Sequence, residues 1–435
     1  MSPYSQPAMV KWPPWKKLVF CFFFLYLGLN IFPWVFYGGI PGISYFSPFY
    51  DRFTNWAVTK ANAKFFHVRE VLVPVNGSGD TSFGWAQTWF NLSLALLGAL
   101  IWFVIDRKRR NYVQLNYWLC LFTRYYIALI AFLYGSIKIF TQQMEFPNIS
   151  QLATPLGDFL PMRLSWMFIG YSAPYQIFSG VMETLAGLLL IYRRTATLGA
   201  LVATGVFLNV LMLNLSYDIP VKLFSIQIVL SSLYLVINDQ NRLIRFFILN
   251  KQTSPSVLYT YSFKRRWMRL AVILLKIGFI VVALILPFRG AMKQYKAMQA
   301  PAPRQLIQTG FYDVIHFVVN KDTIPPSYKN DRRWGDLVLD AGGLGSIRTT
   351  DTLFSQWYGR GYFDYEIDSL KDSLILSVPF EAPILLTMHF ELLDSNTVRL
   401  QGVRKKDTLL VDLMKSNHHF QLTDKQFHWL SERNR

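Results

Sequence analysis

Apolar positions fill most of the first two thirds of the chain and come in long runs. About 20 residues cross roughly 30 Å of hydrocarbon at about 1.5 Å per helical residue. Seven runs reach that length: 18–37, 85–105, 118–141, 174–192, 195–216, 220–238 and 268–288. The four between 118 and 238 predict a compact antiparallel bundle. Residues 289–308 read as a linker or short amphipathic helix ending at Pro301 and Pro303. From 309 the period changes. Stretches such as "FYDVIHFVV", "DLVLDA", "SLILSVP" and "ILLTMHFELL" are short, β-rich and partly alternating, with turns such as "DSN" and "KKD" between them. They predict an antiparallel sandwich or small barrel, a lipocalin-like barrel among the candidates.

The expected fold class is therefore membrane all-α with seven transmembrane helices, followed by a C-terminal all-β soluble domain. Residues 1–117 hold two helices and an external loop, and 118–245 the four-helix bundle. Residues 246–288 form a basic segment and the seventh helix, and 289–435 the linker and exported β-rich domain.

Composition agrees: 52% of the 435 residues are hydrophobic and 16% charged, too apolar for an ordinary soluble protein. The net charge of +18 invites a nucleic-acid reading, which its distribution removes. Residues 289–435 carry 19 Lys/Arg against 17 Asp/Glu, and the excess sits in alternate loops of the membrane part. "DRKRRN", "YRRT", the segment 238–269 and the N-terminal lysines hold 16 Lys/Arg, whereas the opposite loops hold five. Basic loops stay cytoplasmic. The expected location is the inner membrane, with the N-terminus inside and the C-terminal domain periplasmic. The first run is too long for a signal-peptide core and lacks a small-x-small cleavage site. Cys21 and Cys120, both near the cytoplasmic ends of their helices, leave the exported face without thiol chemistry.

Ionisable residues at membrane depth mark function or pairing. Glu183 lies nine residues, roughly 13 Å, up the fourth run. Lys276 and Arg124 are its ion-pair candidates by depth. Along the third run, Arg124, Ala128, Ala131, Gly135 and Lys138 recur every three or four residues, the pattern of a packing seam. At its outer end Lys138 shares a level with Asn214, Tyr217, Asp218 and Lys222. Asp158, in the loop 142–173, and Asp80, in "GSGDT", are placed to cover that group. A lysine in the first turn of a helix opposes the dipole, so Lys222 needs an anion: Asp218 one turn away, or a ligand shared with Lys138. No histidine lies in a membrane run, which argues against haem ligation there, and no metal site is expected.

"RYYIALIAFLYGSIKIF" (124–140), the stretch 157–201 with Glu183 before "GLLL" and the "RRT" turn, and "NLSYDIPVKLF" onward (214–247) resemble the DoxX-like membrane family. Through it the chain is similar to the wider group holding the HTTM domain of vitamin K-dependent carboxylase-type proteins. The whole layout resembles a long Bacteroidetes-type variant. The resemblance implies a DoxX-like four-helix core, a link to membrane redox systems and a quinone as the candidate cofactor, with Lys138, Glu183 and the Tyr217–Lys222 turn as ligand-binding positions. The leading expectation is thus a DoxX-like membrane protein binding a quinone or another lipophilic or anionic ligand near the outer leaflet. The alternative is a non-enzymatic envelope assembly or lipid-handling protein whose exported domain binds a partner or lipid. Its expected partners are the bilayer, a lipophilic ligand and an envelope protein, with no nucleic acid. A carrier ranks last, because no inverted repeat or midplane helix break is visible.

Overall fold

The structure, a computed structural model, describes residues 11–33, 44–254, 265–300, 305–326, 333–381, 383–404, 406–424, 427–430 and 432. The chain divides into two units, 1–143 with 174–295, and 144–173 with 296–435.

The first unit is helical. Its long helices are α1 (Pro14–Ile31), α2 (Ser47–Ala61), α3 (Ser82–Ile105), α4 (Val113–Ile139), then α6 (Ala173–Ile191), α7 (Ala196–Ser216) and α8 (Lys222–Ile237). A last helical stretch, α9, covers Arg266–Met298. The label α5 goes to Pro161–Tyr171 of the second unit. Among the described residues six of these helices, α1, α3, α4, α6, α7 with its preceding turn, and α9, are long and apolar enough to cross a membrane. Helix α8 reaches that length only with Gln240–Ile248, across a 69° bend. The protein is therefore multi-pass. Helix α1 begins before the first apolar run because Pro14 suits a helix start; residues 34–37 of that run lie outside the described residues. Of the linker or short amphipathic helix expected after 288, the helix is formed as far as Met298, with Pro301 and Pro303 outside the described residues.

The packing follows the small residues. Ala128, Ala131, Ala186, Ala200 and Ala203 are fully buried with Ile127, Phe132 and Leu190 in one core drawn from α4, α6, α7, α8 and α9. A Cβ on Gly135 would lie 2.9 Å from the Gly180 carbonyl oxygen, and one on Gly180 would lie 2.7 Å from that of Gly135. The two backbones meet there because neither carries a side chain. A second core joins α1, α3 and the start of α4 through Phe20, Leu27, Ala95, Ala99, Tyr112 and Leu119.

The second unit is a closed barrel of eight antiparallel strands. In order they are β1 (Gly310–Val319), β2 (Asp336–Leu339), β3 (Leu344–Ile347), β4 (Arg360–Asp368), β5 (Ser373–Ser377), β6 (Ile384–Leu392), β7 (Thr397–Arg404) and β8 (Asp407–Lys415). Each strand pairs with the next, and β8 returns to β1 through Val319↔Leu409 and Phe317↔Val411. Of the two architectures expected, the barrel is the one formed. Alternation at period two sends Phe317, Leu337, Phe363, Leu376, Met388 and Val411, among others, into one buried interior cluster. Large side chains face small positions across the wall, Phe363 against Gly345 and Met388 against Gly402.

Strand β2 is buried on both faces. Leu337 and Leu339 point inward. The outward residues Asp336, Val338 and Asp340 are covered as well, and the short helix Ile149–Leu152 packs on this strand. The segment 144–173 is thus a strap over the barrel wall.

Candidate functional site

Helix α4 carries Lys138 one turn beyond Gly135, and α6 carries Glu183 one turn beyond Gly180. The close approach of the two glycines brings those side chains together. The Lys138 ammonium donates to Glu183 Oε1. The residues are only 6% and 1% exposed, so the charges have left water together. Glu183 Oε2 is buried with no hydrogen-bond partner among the described residues. Tyr134, one turn before Lys138, lies within electrostatic range of the carboxylate. A buried ammonium beside an accepting oxygen can bind a ligand that offers an oxygen to one and a hydroxyl to the other.

Glu183 therefore pairs with neither of the partners expected from depth. Arg124 donates from Nε and Nη2 to the Leu190 carbonyl, at 2.9 and 2.6 Å, and from Nη2 to Ile191 at 3.0 Å. It caps the C-terminal end of α6, where orphan carbonyls and the negative dipole end favour a cation. Lys276 is exposed on α9. Depth counting compares levels along helices and carries no information on which faces meet.

The polar turn after α7 is a joint. Asp80 Oδ2 accepts from the Lys222 amide at 2.8 Å and Oδ1 from Leu223 at 3.0 Å. It caps α8 from 142 residues away. The Gly79 amide donates to the Pro220 carbonyl at 2.9 Å. Asp218, at φ 51°, holds the Lys222 ammonium at 2.6 Å, and Asp80 Oδ2 lies 3.7 Å from the same nitrogen. Lys222 thus has two carboxylates of its own, while Lys138 has Glu183. Asn214 is buried, and its carbonyl accepts from Ile219 at 3.0 Å. The Tyr217 amide closes α7 on Leu213. This cluster holds a helix start in place, which accounts for its charges without a ligand.

Asp158 belongs to the barrel unit, where its carboxylate lies against Gly359. The strap also builds a polar site that no local sequence signal marks. Asp340 Oδ1 accepts from the amides of Ile149 and Ser150 at 2.8 and 3.3 Å, and Oδ2 from Ser150 Oγ at 2.5 Å. Ser346 Oγ donates to Ser150 Oγ at 2.7 Å, and Arg360 Nε to Ser346 Oγ at 2.8 Å. Arg360 also pairs with buried Asp336. Burial pushes the Asp340 carboxyl up from its ordinary value, and its hydrogen bonds from Ser150 and Ile149 pull the other way.

Sequence reasoning also passed over an amide cluster between helices. Asn30 Oδ1 accepts from Asn91 at 3.3 Å and from Gln227 at 3.1 Å, joining α1, α3 and α8. Lone amides inside apolar runs were its available signal. Among the described residues no group of three or more His, Cys, Asp or Glu is arranged to hold a metal ion.

The fold and site define a multi-pass membrane protein with a buried Lys–Glu pair between two of its helices and a C-terminal eight-stranded barrel. No family model matches the chain, and no solved structure does. It is 31% identical over 125 residues to the uncharacterised protein YwoB of Bacillus subtilis strain 168. The match covers 28% of this chain and 79% of that much shorter relative. The chain belongs to the same family as YwoB.

Proposed function

We propose that the protein is a DoxX-like, seven-span protein of the inner membrane that binds a quinone-type ligand at the Lys138–Glu183 pair and serves a membrane redox system. In this reading the bent helix α8 supplies the seventh span, the N-terminus is cytoplasmic and the barrel extracytoplasmic. The observation that carries it is the buried Glu183 Oε2, without a hydrogen-bond partner among the described residues, beside the Lys138 ammonium. A quinone oxygen suits the ammonium, and the hydroxyl of its reduced form suits the carboxylate. Burying a carboxylate oxygen without a partner is costly, and a ligand hydroxyl would relieve that cost. The basic loops support the orientation.

The test is extraction of protein purified in mild detergent, with quinones quantified by mass spectrometry. The wild type is expected to carry quinone and Glu183→Gln markedly less. Absence of quinone from the wild type, together with unchanged quinol oxidation in Lys138→Ala membranes, would remove the proposal.

One observation counts against the lipid-carrying form of the non-enzymatic alternative. The barrel interior is filled by Phe317, Phe363, Met388 and their neighbours. An envelope role would therefore use the outside of the barrel to bind a protein partner, rather than its lumen to carry lipid.

A further inference from the structure

Helix α2, Ser47–Ala61, lies between the spans α1 and α3 and packs against α3. It is too short and too polar to cross a membrane itself. Around its axis it has three arcs. Tyr50, Thr54, Val58 and Ala61 turn toward the protein, with Val58 fully buried. Buried Asn62 fixes the exit by bonding the Val68 amide and the Arg69 carbonyl, both at 2.9 Å. Arg52, Asn55 and Thr59 form an exposed polar arc. The third arc is aromatic: Phe46, Phe49, Phe53 and Trp56 recur at intervals of three and four, and each is at least 58% exposed.

Four exposed aromatic rings in one line are a poor surface for water. A helix with an apolar arc beside a polar one suits the plane between hydrocarbon and headgroups. A second observation places that plane. Trp85 and Trp89, one turn apart in the first turns of α3, are also exposed on the outside of this apolar span. Indole rings collect at the membrane–water boundary. The chain leaving α2 is tied to that same end of α3, the Val73 amide donating to Ser82 Oγ at 2.8 Å and the Phe83 amide to the Val73 carbonyl at 3.3 Å. Lys60 and Lys64 are exposed at the end of the arc, and such side chains suit the anionic headgroups at that boundary.

We propose that α2 is an in-plane membrane helix, seated by Phe46, Phe49, Phe53 and Trp56 in the interfacial zone of the leaflet at the Ser82 end of α3. The occupant of the aromatic arc is lipid. Helix α2 is then a second means of membrane attachment, parallel to the surface, beside the Asp80 joint that caps α8.

The test uses the full chain in vesicles of phosphatidylcholine and phosphatidylglycerol, with Cys21→Ser and Cys120→Ala as background. A bimane label is placed by Phe53→Cys or Phe49→Cys on the aromatic arc, or by Asn55→Cys on the polar arc. The expected result is strong quenching of the first two by lipids doxyl-labelled near the headgroup. Quenching by lipids labelled deep in the acyl chain should be weaker, and by aqueous iodide weaker still, whereas position 55 should show the reverse preference for iodide. Two results overturn the proposal. Equal iodide quenching at 49, 53 and 55 would put the arc in water. Protection of 49 and 53 from both iodide and lipid quenchers would put another protein surface on it. Two labelled positions on the arc keep the result readable if one substitution disturbs the fold.

Discussion

Lys138 and Glu183 cannot be removed one at a time without stranding the other charge. Breaking a buried pair from one side costs roughly 3–5 kcal/mol, whereas replacing both partners by apolar residues is close to neutral. Lys138→Met alone is therefore expected to lower stability by that order in denaturant unfolding in mixed micelles. Lys138→Met with Glu183→Leu should recover most of the loss. Equal losses in the single and double variants would mean that the pair is not coupled. Asp340 makes a different prediction. Its carboxyl is pushed up in the folded protein by burial, so the folded state holds that proton more tightly than the unfolded chain. The stabilising contribution is complete below the ordinary value near 3.8 and is lost as pH rises through the folded-state value. Asp340→Asn keeps an oxygen for the Ile149 and Ser150 amides but does not titrate. Its stability should fall less with rising pH above 3.8 than that of the wild type, read from denaturation of the full chain across a pH series. A steeper fall would show that the hydrogen bonds outweigh burial.

Helices form from patterns that a sequence displays openly, but their meeting points depend on faces it does not. The seam of Ala128, Ala131 and Gly135 was legible because small residues recur at helical spacing, and it is buried as that spacing implies. Its partner, Gly180 on α6, was not, because nothing local says which helix turns toward which. Gly135→Val places a Cβ 2.4 Å from Thr184 Oγ1 and 2.9 Å from a fixed backbone oxygen. It is expected to cost about 1–3 kcal/mol by overpacking and to weaken the Lys138–Glu183 contact one turn away. Gly205→Val, on α7 with open space around it, should have little effect, and similar losses at both positions would contradict this packing. The turn "NLSYDIPVKLF" was legible as a place where charges meet, and Lys222 with Asp218 is such a meeting. Asp80 was expected over that group and does reach it; that it caps α8 was not legible, since it arrives from 142 residues away. The strap escaped for the same reason: Ser150 and Asp340 are 190 residues apart. A polar loop between two membrane runs gives no sign that it will cover a strand.

At the scale of the molecule, the barrel and its strap form one compact unit, in which β2 has its outer face covered by residues inserted between α4 and α6. Alternation announced strands from 309 onward but left sandwich and barrel open; the β1–β8 pairing that closes the wall joins residues too far apart for periodicity to reveal. In the helical unit, Lys222 is held by Asp218 and Asp80, whereas Glu183 Oε2 has no hydrogen-bond partner among the described residues; the proposed ligand site rests on that difference. The direct test is thermal unfolding of the purified full chain with and without a soluble short-chain quinone. A ligand that binds only the folded state at about 100 times its Kd stabilises it by about 2.7 kcal/mol. The wild type is expected to melt higher in the presence of the quinone, while the double variant Lys138→Met/Glu183→Leu, folded but without the pair, should not respond. An equal rise in both proteins, or no rise in the wild type, would contradict a ligand site at Lys138 and Glu183.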